Sequence, residues 1–153
     1  MLMLTVHVEP DTLAIASSGL VTGVLSLRGE DASFPDDEWN DAPVVVLGWW
    51  LEALAPLQSG GTATARCQFM EGPFFFEVSL HGEEMVLRCQ QRKHSSTQVV
   101  LEGRVLTDVF MQRLVETSAQ MITACERRGW TSGDLSRLKA LVESARAQMS
   151  RNR

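Results

Sequence analysis

Three histidines are the first residues to weigh for acid–base chemistry, and no two of them stand at a spacing that would bring them onto one proton or one metal ion. His7 falls on the polar face of an alternating segment, His81 in a His-Gly turn and His94 in a Lys-His-Ser-Ser loop. Each reads as a surface or turn residue. Ser95 and Ser96 follow His94, but without the Gly-x-Ser-x-Gly elbow that exposes a nucleophilic serine between a strand and a helix. Cys67, Cys89 and Cys125 are odd in number, far apart and in no Cys-x-x-Cys pair, which predicts reduced thiols packed as small hydrophobes. The carboxylates Asp36, Asp37, Glu38 and Asp41 lack the spaced oxygens, mid-loop glycine and closing glutamate of a Ca²⁺ loop. Gly19, Gly23 and Gly29 do not form a dinucleotide fingerprint, and Gly60-Gly61 has no Lys-Ser behind it. The expectation is a protein with no catalytic residue, no metal and no cofactor.

The chemistry that remains is recognition. Phe34-Pro35-Asp36-Asp37-Glu38-Trp39-Asn40-Asp41 runs into Val44-Val45-Val46-Leu47-Gly48-Trp49-Trp50-Leu51. This sets a dense acidic loop beside three of the four tryptophans, the residue type most enriched among interface anchors. Formal net charge is −5, unevenly placed. Residues 1–100 carry thirteen acidic and five basic side chains, residues 101–153 six and nine. An acidic body argues against nucleic acid, which needs a basic footprint, and suits a basic protein partner drawn in by complementary charge.

The elements that position these residues follow from hydrophobic period. Leu4, Val6 and Val8 alternate with polar neighbours, as a strand does. Short strands are expected at Leu13–Ile15 and Leu20–Arg28, with an acidic loop over 29–41. The period then changes to that of a helix over about 42–57: Asp41 can cap it, Pro43 fits its first turn, and Val44, Leu47, Leu51 and Leu54 form its stripe with Trp50 beside them. Trp49 falls about 200° from Leu47, so either the helix is covered on two sides or Trp49 is partly exposed. Three alternating segments, Ala63–Phe69, Phe74–Leu80 and Met85–Cys89, are separated by Glu71-Gly72 and His81-Gly82, which predicts an antiparallel meander. Phe75 must face away from Phe74 and Phe76. Gln98–Glu102 adds a possible fourth strand.

The last third reads as two helices. Leu106, Phe110, Leu114, Met121 and Cys125 share one face, widened by Val105, Val109, Val115 and Ile122. Gly129 stops the first helix and Trp130 plugs the turn. Thr131 with Asp134 forms a capping box for the second. That helix carries the stripe Leu135, Leu138, Val142, Ala145 and Met149. The short connection favours intrachain antiparallel packing, hence a monomer or weak dimer, with Ser150–Arg153 fraying. The fold class expected is α+β: one domain over 1–153, mainly antiparallel sheet over 1–102 with one central helix, and a helical hairpin over 104–150 packed on one sheet face. No run approaches the roughly 18 apolar residues that span a bilayer. The N-terminus has no basic region of a signal peptide. A cytoplasmic protein that touches no membrane is expected.

Two aromatic patterns carry a resemblance. Phe34-Pro35-x3-Trp39-x-Asp41-x5-Leu47-x2-Trp50-x3-Leu54, followed by Phe69-Met70-Glu71-Gly72-Pro73-Phe74-x-Phe76-Glu77-Val78, is similar to small bacterial immunity-type proteins, encoded beside polymorphic or contact-delivered toxins. The resemblance covers about residues 34–80. It implies a cytoplasmic, non-enzymatic antitoxin that binds one cognate toxin and blocks its active site. Toxins that act on nucleic acids or nucleotides are often basic there. The contact residues expected are Asp36, Asp37, Glu38, Trp39 and Asp41, with Trp49 as an anchor. Two other readings stay open: a chaperone or adaptor for a secreted effector, and an enzyme that reverses a toxin's modification.

Overall fold

The computed structural model describes residues 2–152. Its fold is α+β, built from antiparallel sheets and three helices. Strand β1 (Thr5–Val8) leads through a short 3-10 turn at Pro10–Thr12 to β2 (Ala14–Ile15) and the long β3 (Val21–Arg28). The expected acidic loop after β3 contains two short strands, β4 (Ser33–Phe34) and β5 (Asn40–Asp41). All four short strands pair with β3, whose residues Leu25 and Leu27 are fully buried. The second sheet is the meander, extended to four strands: β6 (Thr64–Gln68), β7 (Phe74–His81), β8 (Glu84–Lys93) and β9 (Ser96–Leu106).

Helix α1 (Pro43–Gln58) lies between the sheets and the last helix of the chain. It is apolar almost all round, because it buries one side against β3 and β6 and another against α3. Both alternatives for Trp49 hold together: the helix is covered on two sides, and Trp49 is 40% exposed on the strip left over. Helix α2 (Thr107–Arg127) packs on β1 and β9, and α3 (Gly133–Arg151) rests on α1 and α2. The hairpin therefore spans two layers, with α2 on the sheets and α3 outside it. The stripe Leu135, Leu138 and Val142 is buried within the chain.

Four local expectations shift. Val105 and Leu106 belong to β9 rather than to the following helix, and Leu106 is exposed. The cause is the hairpin ladder: Val105 pairs with Met85 and Leu106 with Glu84 of β8. On the other edge of the strand the N–H of Arg104 donates to the carbonyl of Leu2 at 2.7 Å, and Leu2 bridges Gly103 in parallel. Gly103 is what permits this approach. A Cβ there would lie 2.5 Å from Leu4 Cδ1 and 2.8 Å from the Leu2 carbonyl oxygen. Second, α1 begins after Ala42 with no side-chain cap, because Asp41 is engaged elsewhere. Third, the cap of α3 is Ser132, one residue past Thr131, and its hydroxyl accepts from the N–H of Leu135 at 3.1 Å. Fourth, α3 holds its helical form through Arg151, and the Asn152 side chain donates to the Gln58 carbonyl at 3.2 Å; Arg153 lies outside the described residues.

Candidate functional site

The segment Phe34–Asp41 divides into a buried part and an exposed part. Asp41 is 1% exposed. Its Oδ1 accepts from the backbone N–H groups of Ala42 at 2.8 Å and Met70 at 3.1 Å. Its Oδ2 accepts from the indole N–H of Trp39 at 2.9 Å and the N–H of Glu71 at 3.1 Å. Two lone-pair pairs meeting four donors satisfy a buried carboxylate. Asp41 is thus a clasp that fastens the entry of α1 to the β6–β7 turn. Its expected place among the partner contacts is corrected, since no face of it is open to a partner.

Aromatic rings continue the clasp. Trp39 meets Phe74 edge to face at 5.1 Å, and Phe34 meets Phe74 at 5.6 Å and Phe69 at 5.8 Å. Trp50 meets Phe69 at 5.2 Å and Phe76 at 4.9 Å, and its indole N–H donates to the Gln68 carbonyl at 2.8 Å. Such pairs add roughly 0.5–1.5 kcal/mol each beyond area burial. Gly72 belongs to the same assembly: its φ is +68°, and a Cβ there would lie 2.9 Å from the Trp39 ring. The two halves of the 34–54 and 69–78 pattern are therefore one packing unit. Phe75, on the opposite sheet face, is fully buried by the guanidinium groups of Arg66 and Arg92, each 4.5 Å from its centroid; it is a roofed core residue.

Asp36, Asp37 and Glu38 are exposed. They are held in shape locally: Asp36 Oδ1 accepts from the N–H of Glu38 at 2.9 Å, and the Ser33 hydroxyl donates to Asp37 Oδ1. Asp37 and Glu38 form one wall of a groove of about 640 Å³ whose other walls are His7, Glu9, Arg28 and the Gly29–Ala32 turn. Five carboxylates line it, those of Glu9, Glu30, Asp31, Asp37 and Glu38, against one guanidinium. Arg28 crosses it, donating to the Asp37 carbonyl at 2.7 Å and reaching Glu9 Oε2 at 3.5 Å; His7 Nε2 stands 3.2 Å from the same oxygen. Antiparallel pairing of β3 with β1 and with β4 brings these segments together. Glu9, Glu30 and Asp31 were not singled out from the sequence. The available signal was the Gly29-Glu30-Asp31 turn after a strong strand.

The expected contact residues thus occupy three places. Asp37 and Glu38 line the groove, and Asp36 sits on the same loop outside the lining. Trp39 is half-buried in the clasp, with Asp41 beneath it. Trp49 is separate, on the turn of α1 that carries Glu52, whose carboxylate binds Arg137 of α3 at 2.6 Å and 3.2 Å. It lines no part of the groove.

Groups suited to reaction stay apart. Ser79 Oγ and His81 Nε2 are 3.2 Å apart at an exposed hairpin end. No carboxylate hydrogen-bonds the other ring nitrogen to orient that imidazole, among the described residues. Cys67, Cys89 and Cys125 are buried and unpaired. Burial pushes the Cys89 thiol up to about 12 and raises Cys67 and Cys125 as well, which keeps all three in the unreactive protonated form. Among the described residues no cluster of three or more His, Cys, Asp or Glu side chains could hold a metal ion, and no helix is long and apolar enough to cross a membrane. Compared with protein-family models, with curated proteins and with solved structures, the chain has no match.

Proposed function

We propose that this chain is a non-enzymatic binding protein of the immunity type, which neutralises a cognate bacterial toxin by docking a basic surface of that toxin in the acidic groove. The observation that carries the reading is the groove itself. Five carboxylates converge on an open concavity with one arginine among them, and most are exposed. Like charges held together raise the energy of the free protein, and a cationic partner relieves that repulsion on binding. The clasp beneath supports the reading, because it holds one wall of the groove in place before a partner arrives, which lowers the ordering cost of association. The toxin class rests on the resemblance of the two aromatic patterns; the groove supports a basic protein partner.

The test is a titration against the product of the gene adjoining its own, which the immunity reading requires to be a toxin. Stoichiometric inhibition is expected. Changing Asp36, Asp37 and Glu38 together to Ala is expected to weaken binding and flatten its salt dependence, and unchanged values of both would refute the acidic mechanism. Rescue of a toxin-treated target at sub-stoichiometric amounts would favour the enzyme reading instead.

A chaperone or adaptor role has one specific observation in its favour. A cleft of about 410 Å³ runs between α1 and α3, where Leu51, Ala55, Pro56, Leu141 and Ala145 alternate with polar residues such as Glu52, Gln148 and Arg151, and suits an amphipathic segment of an effector. The two readings separate in cells: a chaperone is needed for effector stability, an immunity protein for survival of the cell that receives the toxin.

A further inference from the structure

We infer that Arg28 is a displaceable internal ligand of the acidic groove, holding a seat that an arginine side chain of the partner takes on binding. The inference rests on the proposed function and names the chemical group recognised there. Arg28 is the one guanidinium among five carboxylates, yet it is poorly held. Its Nη2 donates to the Asp37 carbonyl at 2.7 Å but stands 3.5 Å from Glu9 Oε2, beyond the roughly 2.7–2.9 Å of a strong charge-assisted bond. His7 Nε2 contends for the same oxygen at 3.2 Å. The Nε of Arg28 is sealed from solvent and has no hydrogen-bond partner.

The sheet beneath it is unfinished in the same way. The β1–β3 register sets Thr5 opposite Arg28 and His7 opposite Ser26, so all four side chains leave the face of the sheet on which the groove lies. Ser26 is fully buried, and its hydroxyl and that of Thr5 are unpartnered. Among the described residues five side-chain polar atoms are sealed without a partner, and three of them, on Thr5, Ser26 and Arg28, fall in this one patch. Buried polar groups are nearly always paired, so exceptions gathered beneath a charged concavity mark a place where hydrogen bonds are completed from outside the chain. When Arg28 swings out, its Nε regains water and four acceptors come free: the Asp37 carbonyl, the Glu9 carboxylate and the hydroxyls of Thr5 and Ser26. The first two already hold a guanidinium. A planar fork with several donors meets acceptors spread in this way, whereas an ammonium offers its donors from one point. The occupant is therefore an arginine rather than a lysine of the basic partner, drawn in by Glu30, Asp31 and Glu38 on the walls.

Titration calorimetry at low salt with two blocked glycine pentapeptides, one carrying two arginines and the other two lysines, tests this. The wild type is expected to bind the arginine peptide about five-fold more tightly than the lysine peptide. Arg28→Lys keeps the net charge but weakens the internal occupant, and is expected to raise affinity for the arginine peptide about five-fold, since less of the protein is held closed. Ser26→Ala removes a hydroxyl that no group in the chain uses. It is expected to leave the urea midpoint unchanged or higher and to weaken binding of the arginine peptide about three-fold. Exchange of the Arg28 Nε–H, followed by NMR on the unmodified protein, gives a reading free of any folding defect: slow in the free protein, it is expected to quicken as the arginine peptide saturates the groove. Equal affinities for the two peptides, an Arg28→Lys variant that binds the arginine peptide no more tightly, a Ser26→Ala variant with wild-type affinity, or an Nε–H that stays protected in the complex would each overturn the inference and leave the acidic groove standing. Failure of both peptides to bind would overturn the groove reading along with it.

Discussion

Asp37 and Asp41 are four residues apart in one acidic stretch, and they do opposite things. Asp41 spends its charge inside the molecule on four N–H groups that tie α1, Trp39 and the β6–β7 turn together. Asp37 is exposed on the wall of a groove where carboxylates outnumber cations five to one. Acidic density in a sequence thus carries two separate signals. One carboxylate with a fixed set of donors is architecture; several that converge without enough cations are, in the proposed function, the ones that meet a partner.

That contrast can be broken most forcefully at Asp41. Asp41→Ala leaves buried donors unpaired and is expected to cost about 3–5 kcal/mol of folding stability, measured by urea denaturation. Asp36→Ala, Asp37→Ala and Glu38→Ala together are expected to change it by no more than about 0.5 kcal/mol. Equal effects at the two sites would erase the distinction. Gly72→Ala comes next. It forces a left-handed backbone on a residue with a Cβ and drives that Cβ into Trp39, and is expected to cost about 2 kcal/mol, read in the same denaturation curves and in a shift of tryptophan fluorescence. Smaller still is neutralisation of the groove by Glu30→Gln with Asp31→Asn. Relief of repulsion is expected to stabilise the fold by about 0.5 kcal/mol at low salt and by nothing at high salt. Destabilisation instead would mean that these acids are paired in the fold after all. The buried thiols of Cys67 and Cys89 are expected to resist alkylation at pH 8.5 until the protein unfolds, which mass spectrometry checks directly.

The meander, α1 and the helical hairpin were legible because each rests on a local period: alternation in Phe74–Leu80, and the helical stripe in Val44–Leu54 and in Leu135–Val142. What was illegible depends on contacts between distant segments. β9 runs on to Leu106 because β8 pairs with it as far as Glu84, and its other edge is met by Leu2, a partner a hundred residues away. β4 and β5 are two residues long each and exist only because β3 pairs with them. The same cause governed the site. Asp37 and Glu38 stood out as a charge run, but Glu9, Glu30 and Asp31 join them only once β1, β3 and β4 are laid side by side. Asp41 resembles its neighbours in type, and its place before a helix suggests a cap rather than a clasp; its donors on Met70 and Glu71 come from across the fold.

In the proposed function the groove acids act outside the fold, on a basic partner. The most direct test of this is the affinity of a Glu30→Gln, Asp31→Asn, Asp37→Asn, Glu38→Gln variant for the adjoining-gene toxin, followed across salt concentration by titration calorimetry. A well-folded variant is expected that binds about a hundred-fold more weakly at low salt, with the gap to the wild type closing as salt screens the groove. A folded variant with wild-type affinity and the wild-type salt slope would contradict it.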